Sequence, residues 1–248
     1  MTHIIIAVII MKKAYITVLS ILLCLLIGSI LLVSSRYKSS ATKVVNAENQ
    51  TTLPTIIIDA GHGGEDSGAL SANGTAEKDV NLDISLTLDK LLKTSGFNTV
   101  MIRTDDTSIH NPDASTTRER TVSDIHNRVN ISNSDKNNIL ISIHQNHFSD
   151  SKYSGAQMFY SKNNYNSRNL AECIKGSVTG LLQNSNTREC KESSGVYLLD
   201  NVTVPAVIVE CGFLSNTQEA ELLSTAEYRD NMAYSVYLGI MEYSYLYR

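Results

Sequence analysis

Three aliphatic runs in this chain end on residues that can do chemistry. Ile56, Ile57 and Ile58 lead through Asp59, Ala60 and Gly61 to His62, which two more glycines follow. The run from Ile139 to Ile143 ends on His144, and Ala206 to Val209 end on Glu210. Short apolar runs bounded by turn residues read as buried strands. In open α/β sheets, ligand sites lie beyond the carboxyl ends of the strands. Parallel pairing would bring two imidazoles and a carboxylate onto one edge. Glu77, at the start of the next helical stretch, joins them if the loop before it folds back. Two imidazoles and a carboxylate suit Zn²⁺, and three protein ligands leave a position for water. Zinc lowers the pKa of such a water to about 7. A separate carboxylate then serves as general base and later as proton donor to a leaving amine. No HExxH helix fixes two ligands locally, so spacing alone does not say which residue plays which part.

The elements that must position these residues alternate. Strands are predicted at 55–59, 97–102, 138–144, 155–161, 195–199 and 205–210, and helices at 77–96, 116–134, 167–182 and 217–245. Helical spacing is clear over 77–96, with Val80, Ile84, Leu88, Leu91 and Leu92 on one face and Gly96 as a stop. The alternation predicts a three-layer αβα domain around a mostly parallel, about six-stranded sheet.

Composition narrows the reading. A formal net charge of −4 with no clustered basic surface speaks against nucleic acid as a partner. There is no tryptophan, so no aromatic platform for sugars is advertised. The four cysteines form no CxxC pair; Cys24 lies in the apolar N-terminal stretch, while Cys173 and Cys190 have the option of pairing outside the cell. Residues 14–35 carry no charge and are long enough to cross a bilayer of roughly 30 Å as a helix. The expected organisation is a cytoplasmic N-terminus over 1–13 (with Met11 the more natural start), a transmembrane signal anchor over 14–35, a polar tether over 36–53 and a catalytic domain over 54–248. The run exceeds the usual 7–15-residue core of a cleaved signal, roughly speaking, and no A-x-A site follows, which favours an uncleaved anchor over a secreted form. The domain is then expected outside the cytoplasm, in the wall or between the membranes of a forespore.

Five ordered motifs, IIIDAGHGGEDSGA, EKDVNL, ILISIHQN, SGAQMFY and PAVIVECGFLSN, closely resemble the zinc-dependent N-acetylmuramoyl-L-alanine amidases of bacterial cell walls, the amidase type 3 family. The resemblance runs from about Thr55 to the end of the chain. It implies an α/β fold with a six-stranded sheet, with His62, Glu77 and His144 as zinc ligands and Glu210 as the catalytic carboxylate. The implied reaction is hydrolysis of the amide between the lactyl group of N-acetylmuramic acid and L-alanine in peptidoglycan. An anchored single domain and the wording VECGFLSN look like the spore-cortex, germination-related branch, which trims stem peptides.

The resemblance also sets Arg188 and Lys191 where the family has basic residues facing substrate, and Asn146 beside His144 is a third substrate-binding candidate. His147 reads as a rim residue rather than a fourth ligand, which would displace the water. His110 and His126 read as surface residues. Asp59 either orients a zinc ligand or caps a strand end. Cys211 adjoins Glu210, but neighbours on a strand face opposite ways, so a thiol nucleophile is not expected. Two rival readings share the motifs: a wall-binding protein without catalysis, and a zinc peptidase acting within the stem peptide. A partner protein that fills or orders the metal site is a further expectation.

Overall fold

A computed structural model describes residues 53–247. The expected cytoplasmic N-terminus, membrane segment and tether lie outside those residues. Among the described residues no helix is long and apolar enough to cross a membrane.

Six strands form one sheet: β1 (Thr55–Ala60), β2 (Asn98–Met101), β3 (Asn138–Asn146), β4 (Gln157–Tyr160), β5 (Lys191–Glu192) and β6 (Ala206–Phe213), in the order β2-β1-β3-β6-β4-β5. All neighbours are parallel except β4 and β6, which run antiparallel. Among the described residues six helices surround it: α1 (Glu77–Thr94), α2 (Thr117–Ser132), α3 (Asn166–Leu181), α4 (Tyr197–Asn201), α5 (Thr217–Leu223) and α6 (Ala226–Leu246).

Alternation along the central strands feeds two separate cores, as burial on both faces of a parallel sheet requires. Ile56 and Ile58, Ile139, Ile141 and Ile143, and Val207 and Val209 pack with α1, α3 and α6 on one face. Ile57, Leu140, Ala206 and Ile208 pack with α2 and α4 on the other. On α1, Val80, Ile84, Leu88 and Leu92 are all buried; at roughly 1.5–3 kcal/mol per buried aliphatic side chain, this stripe holds the helix against the sheet. α3 and α6 meet closely at Gly239, where a Cβ would lie 2.4 Å from the Ile174 Cα. α2 starts on a capping box, with Thr116 accepting from the Glu119 amide while the Glu119 carboxylate accepts from the Thr116 amide.

Two expectations need correction. Residues 195–199 do not form a strand: Tyr197–Asn201 is a helical turn that buries Leu198 and Leu199, and Asp200 accepts from the Gly195 amide ahead of it. A five-residue apolar run fits either form, because periodicity does not separate them at that length. The sixth strand is instead the two-residue β5. The C-terminal helix is two helices, broken where Thr225 caps the amide of Tyr228 and starts α6.

β1 sits at the point where the chain changes direction. Its crossover through α1 leads outward to β2, and the next one, through α2, returns to β3 on the other side. Loops leaving β1 and β3 therefore diverge and leave a crevice at the carboxyl edge, where such sheets bind ligands.

Candidate metal centre and active site

The crevice holds the residues that the sequence brings to its strand ends. His144, near the end of β3, pairs directly opposite Glu210 of β6. A register shift after His144 bulges the strand, so that Asn146 pairs with Phe213; bulges of this kind re-aim side chains beside active sites. His62 lies two residues beyond β1, which the Gly61 amide prolongs by donating to the Ile143 carbonyl. Glu77 is the first residue of α1, and the loop before it does fold back: the Glu77 amide donates to the Ala69 carbonyl, and the Lys78 amide to that of Ser67.

His62, Glu77 and His144 converge, with one ligand atom from each lying within 4.8 Å of the others. The Glu77 Oε1 is 3.2 Å from His62 Nε2 and 3.0 Å from His144 Nδ1. Amides of Gln145 and Ala69 donate to the two Glu77 oxygens at 3.0 and 2.9 Å, fixing the carboxylate in place. The two imidazole rings meet edge to face at 5.0 Å. His147 stands exposed and outside this group, as a rim residue should.

Asp66 was not singled out in the sequence. Its Oδ2 is 2.8 Å from His62 Nδ1, so it holds the far side of the ring while Nε2 faces Glu77. Carboxylates commonly orient metal-binding histidines in this way. The only signal was the interval of four from His62 inside a glycine-rich loop, which carries no regular periodicity.

Electrostatics agree with a site built for a cation. Burial opposes charge on His62, but the hydrogen bonds to Asp66 and then Glu77 prevail and raise its imidazole to about 10. Burial likewise opposes charge on Glu77, yet the hydrogen bonds of His144 and His62 hold its carboxyl far below the usual range. Two imidazoles and a carboxylate are a donor set that zinc accepts with a position left for water. The fit is good: three donors converge, and among the described residues no fourth protein ligand joins them.

Glu210 completes the arrangement. It lines the same cleft of about 680 Å³ as His62, Glu77 and His144. Its Oε2 is buried with no hydrogen-bond partner. Desolvation pushes its carboxyl up to about 7, with His144 pulling down and Glu77 pushing further up. A buried polar atom left unpaired is costly, and such a group in a cleft marks a functional position. Cys211, next in the chain, faces the opposite core, where burial pushes its thiol well up. Cys173 and Cys190 are free thiols rather than a pair.

The structure separates the substrate-binding candidates. Asn146 lines the cleft, beside Phe148 and Phe159. Arg188 does not: it lies over the Phe213 ring at 4.7 Å, donates to Ser154 O and Gln157 Oε1, and lines a different groove with Glu219. Lys191 is exposed on β5, outside the cleft lining. Of the other histidines, His126 is exposed against Tyr197, whereas His110 is half-buried, its Nδ1 2.7 Å from Ser108 Oγ.

Three convergent metal-type ligands beside a carboxylate poised near neutrality are what metal-assisted hydrolysis requires. The chain belongs to the N-acetylmuramoyl-L-alanine amidase family, whose model matches residues 56–242. It is similar to the germination-specific N-acetylmuramoyl-L-alanine amidase of Bacillus subtilis, 37% identical over 188 residues that cover 76% of this chain and 78% of that one. Among solved structures it is similar to the CwlD amidase of Clostridioides difficile, determined in complex with the GerS lipoprotein. The TM-score is 0.74 at 41% identity, covering 77% of this chain and 98% of that one. An N-acetylmuramoyl-L-alanine amidase of Clostridium difficile 630 superposes with a TM-score of 0.68 at 26% identity, over 80% of this chain and all of that one. The family read from the five motifs is thus borne out, and the likeness to a germination-specific amidase and to CwlD is what the germination-related reading expects.

Proposed function

We propose that the chain hydrolyses the amide between N-acetylmuramic acid and L-alanine in peptidoglycan, with zinc held by His62, Glu77 and His144 and with Glu210 as the proton carrier. The observation that carries this reading is the unpartnered Glu210 oxygen in the same cleft as three convergent ligands. Bound there, zinc would supply a Lewis acid and a water acidic enough to ionise near neutrality.

The protein's own residues do the rest. Asp66 keeps a proton on His62 Nδ1, so that Nε2 faces the centre. Backbone amides of Gln145 and Ala69 hold Glu77 against rotation. Glu210, with no partner for its Oε2, takes a proton from the attacking water and gives it to the departing L-alanine amine. A group that must accept and then release a proton works best when its affinity lies close to the ambient pH. Phe148 and Phe159 wall the cleft beside Glu210.

The uncharged run at 14–35 supports a membrane anchor with the catalytic domain on the outer side. Likeness to an amidase solved with a lipoprotein supports a membrane-associated protein partner for this chain as well. Relatedness to a germination-specific amidase supports a role in the spore cortex.

The test is digestion of defined peptidoglycan by the detergent-solubilised chain with and without Zn²⁺, followed by mass spectrometry. Zinc-dependent release of intact stem peptides with a free L-alanine amine is expected, and Glu210→Ala should abolish it. Cleavage within the peptide would replace the amidase with a peptidase. Deleting residues 14–35 should move the chain from the membrane to the soluble fraction, and no change on deletion would dismiss the anchor.

A further inference from the structure

His62 is the only non-glycine with a positive φ among the described residues, at 63°. That is left-handed backbone, which a side chain with a Cβ adopts reluctantly. Something must hold it there, and the surrounding hydrogen bonds say what does.

Three successive carbonyls lead to and include this residue, and each accepts from a guanidinium. The Ala60 carbonyl accepts from Arg128 Nη1 at 3.0 Å and from Arg103 Nε at 2.8 Å. Gly61 O accepts from Arg103 Nη2 at 3.0 Å. His62 O accepts from Arg128 Nη2 at 2.9 Å. Arg103 also donates to Lys78 O at 2.7 Å, tying the loop to the turn that carries Glu77. Arg128 is the residue that grips His62 itself.

Arg128 has little left for a ligand. Its Nε donates to Asp124 Oδ2 at 2.6 Å, and Nη1 also donates to Asp59 Oδ1. Four of the five N–H groups that a guanidinium carries are therefore engaged within the protein. The side chain is buried, and so is Asp59, which also accepts from Ser142 Oγ at 2.7 Å. Asp59 thus neither caps its own strand nor touches a metal-type ligand side chain. It secures Arg128.

We infer that Arg128, secured by Asp59, is a positioning residue that sets the affinity of the site for zinc by clamping the left-handed backbone of His62. Fixing the carbonyl of His62 fixes the peptide plane beyond it, and with it the direction in which the imidazole leaves the chain. This rests on the reading of His62 as a zinc ligand. No other part of the reaction is assigned to Arg128.

The experiment uses the full chain, solubilised in detergent and stripped of metal, and measures zinc affinity by competition with a chromophoric chelator. Arg128→Lys keeps a charge beside Asp59, but its single ammonium does not span Asp59, Asp124 and the His62 carbonyl together. Loss of groups that orient metal ligands typically weakens binding by about 10–100-fold, and that fall is expected here. Asp59→Asn/Arg128→Met removes the buried Asp59 charge together with its partner and leaves Asp124 held by Ser108 Oγ and the Ile109 amide, a change that often preserves stability. It should fold with unchanged circular dichroism and show the same loss. Val129→Ala weakens the packing of α2 at the adjacent buried residue without touching the loop. It should lower the melting temperature and leave zinc affinity within about twofold. The visible spectrum of the cobalt-substituted protein should change in both Arg128 variants and stay as in wild type in Val129→Ala.

Wild-type affinity and spectrum in a folded Asp59→Asn/Arg128→Met protein would overturn the inference. So would an equal loss in Val129→Ala, which would make the effect one of general stability. A wild-type chain that binds no zinc would sink the proposed metal centre and this inference together. That result differs from a zinc-binding wild type with indifferent variants.

Discussion

Gly61 lies against the His144 ring, and replacing it tests how tightly the site is packed. A Cβ built at this position would lie 2.2 Å from His144 Nε2, 2.3 Å from Cε1 and 2.7 Å from Cδ2. Attractive contact between such atoms begins at about 3.5 Å, so the ring must retreat by roughly 1 Å or more. Metal ligands tolerate displacements of only about 0.2 Å. The backbone of Gly61 is not left-handed, since it is absent from the positive-φ glycines. Alanine therefore suffers from the contact and not from its own conformation. Overpacking typically costs about 1–3 kcal/mol, which in a domain this size lowers the melting temperature by roughly 2–4 °C for each kcal/mol. Gly180→Ala, on α3, is the matched control, because nothing lies within 4 Å of its Cβ. There the same chemical change should stabilise the chain by about 0.5–1 kcal/mol, the ordinary gain of alanine over glycine in a helix. We expect Gly61→Ala to melt several degrees lower and to lose zinc affinity by about 100-fold or more, while Gly180→Ala melts higher and binds zinc normally. The assays are thermal melts followed by circular dichroism and chelator competition. A Gly61→Ala protein with wild-type affinity and melting temperature would refute the claim that His144 is wedged against this residue.

Glu210→Gln should retain zinc but lose turnover by about 10²–10⁴-fold, the usual share of general acid–base catalysis; stem-peptide release decides this, and equal loss of zinc would recast Glu210 as a ligand. In the metal-free chain the Glu210 carboxyl sits at about 7 against an ordinary 4.5. Its contribution to stability is thus full below pH 4.5 and lost as pH rises through about 7. Melts taken in chelator should show that decline in wild type and a flatter profile in Glu210→Gln. Asp66→Ala frees the Nδ1 of His62 and should weaken zinc binding by about 10–100-fold, with little change in melting because the carboxylate is half-exposed; unchanged affinity would remove Asp66 from the site. Burial alone would raise Asp59, but the charge of Arg128, with help from His144 and Ser142, brings it below its usual 3.8. That contribution to stability is present above pH 3.8 and disappears as pH falls through the lowered value. Asp59→Asn should therefore flatten the acid limb of a stability profile, and an unaltered limb would count against the ion pair.

Which parts of the site were legible depends on whether a residue's position follows from its own element. His62, His144 and Glu210 end buried runs, and the rule that parallel strands present their carboxyl ends together needs no further information. Glu77 is a different case. A glutamate in a first helical turn also suits the helix dipole, and its role rests on the 63–76 loop folding back, which hydrogen bonds far apart in sequence decide. The resemblance supplied it; periodicity did not. Asp66 lies in that same loop, where the positive φ angles of Gly63, Gly64 and Gly68 set the path and no repeating pattern marks a side chain. Arg188 shows the opposite failure. Its type and place in the chain suit a substrate carboxylate, yet Phe213, Ser154 and Gln157 occupy it. Arg128 is hardest of all, since in sequence it is one basic residue on a polar helix and only the geometry reveals a guanidinium sealed beneath His62. Residues that touch the reacting centre from strand ends announce themselves, whereas Arg128 acts through a backbone carbonyl, which every residue has and which no sequence pattern distinguishes.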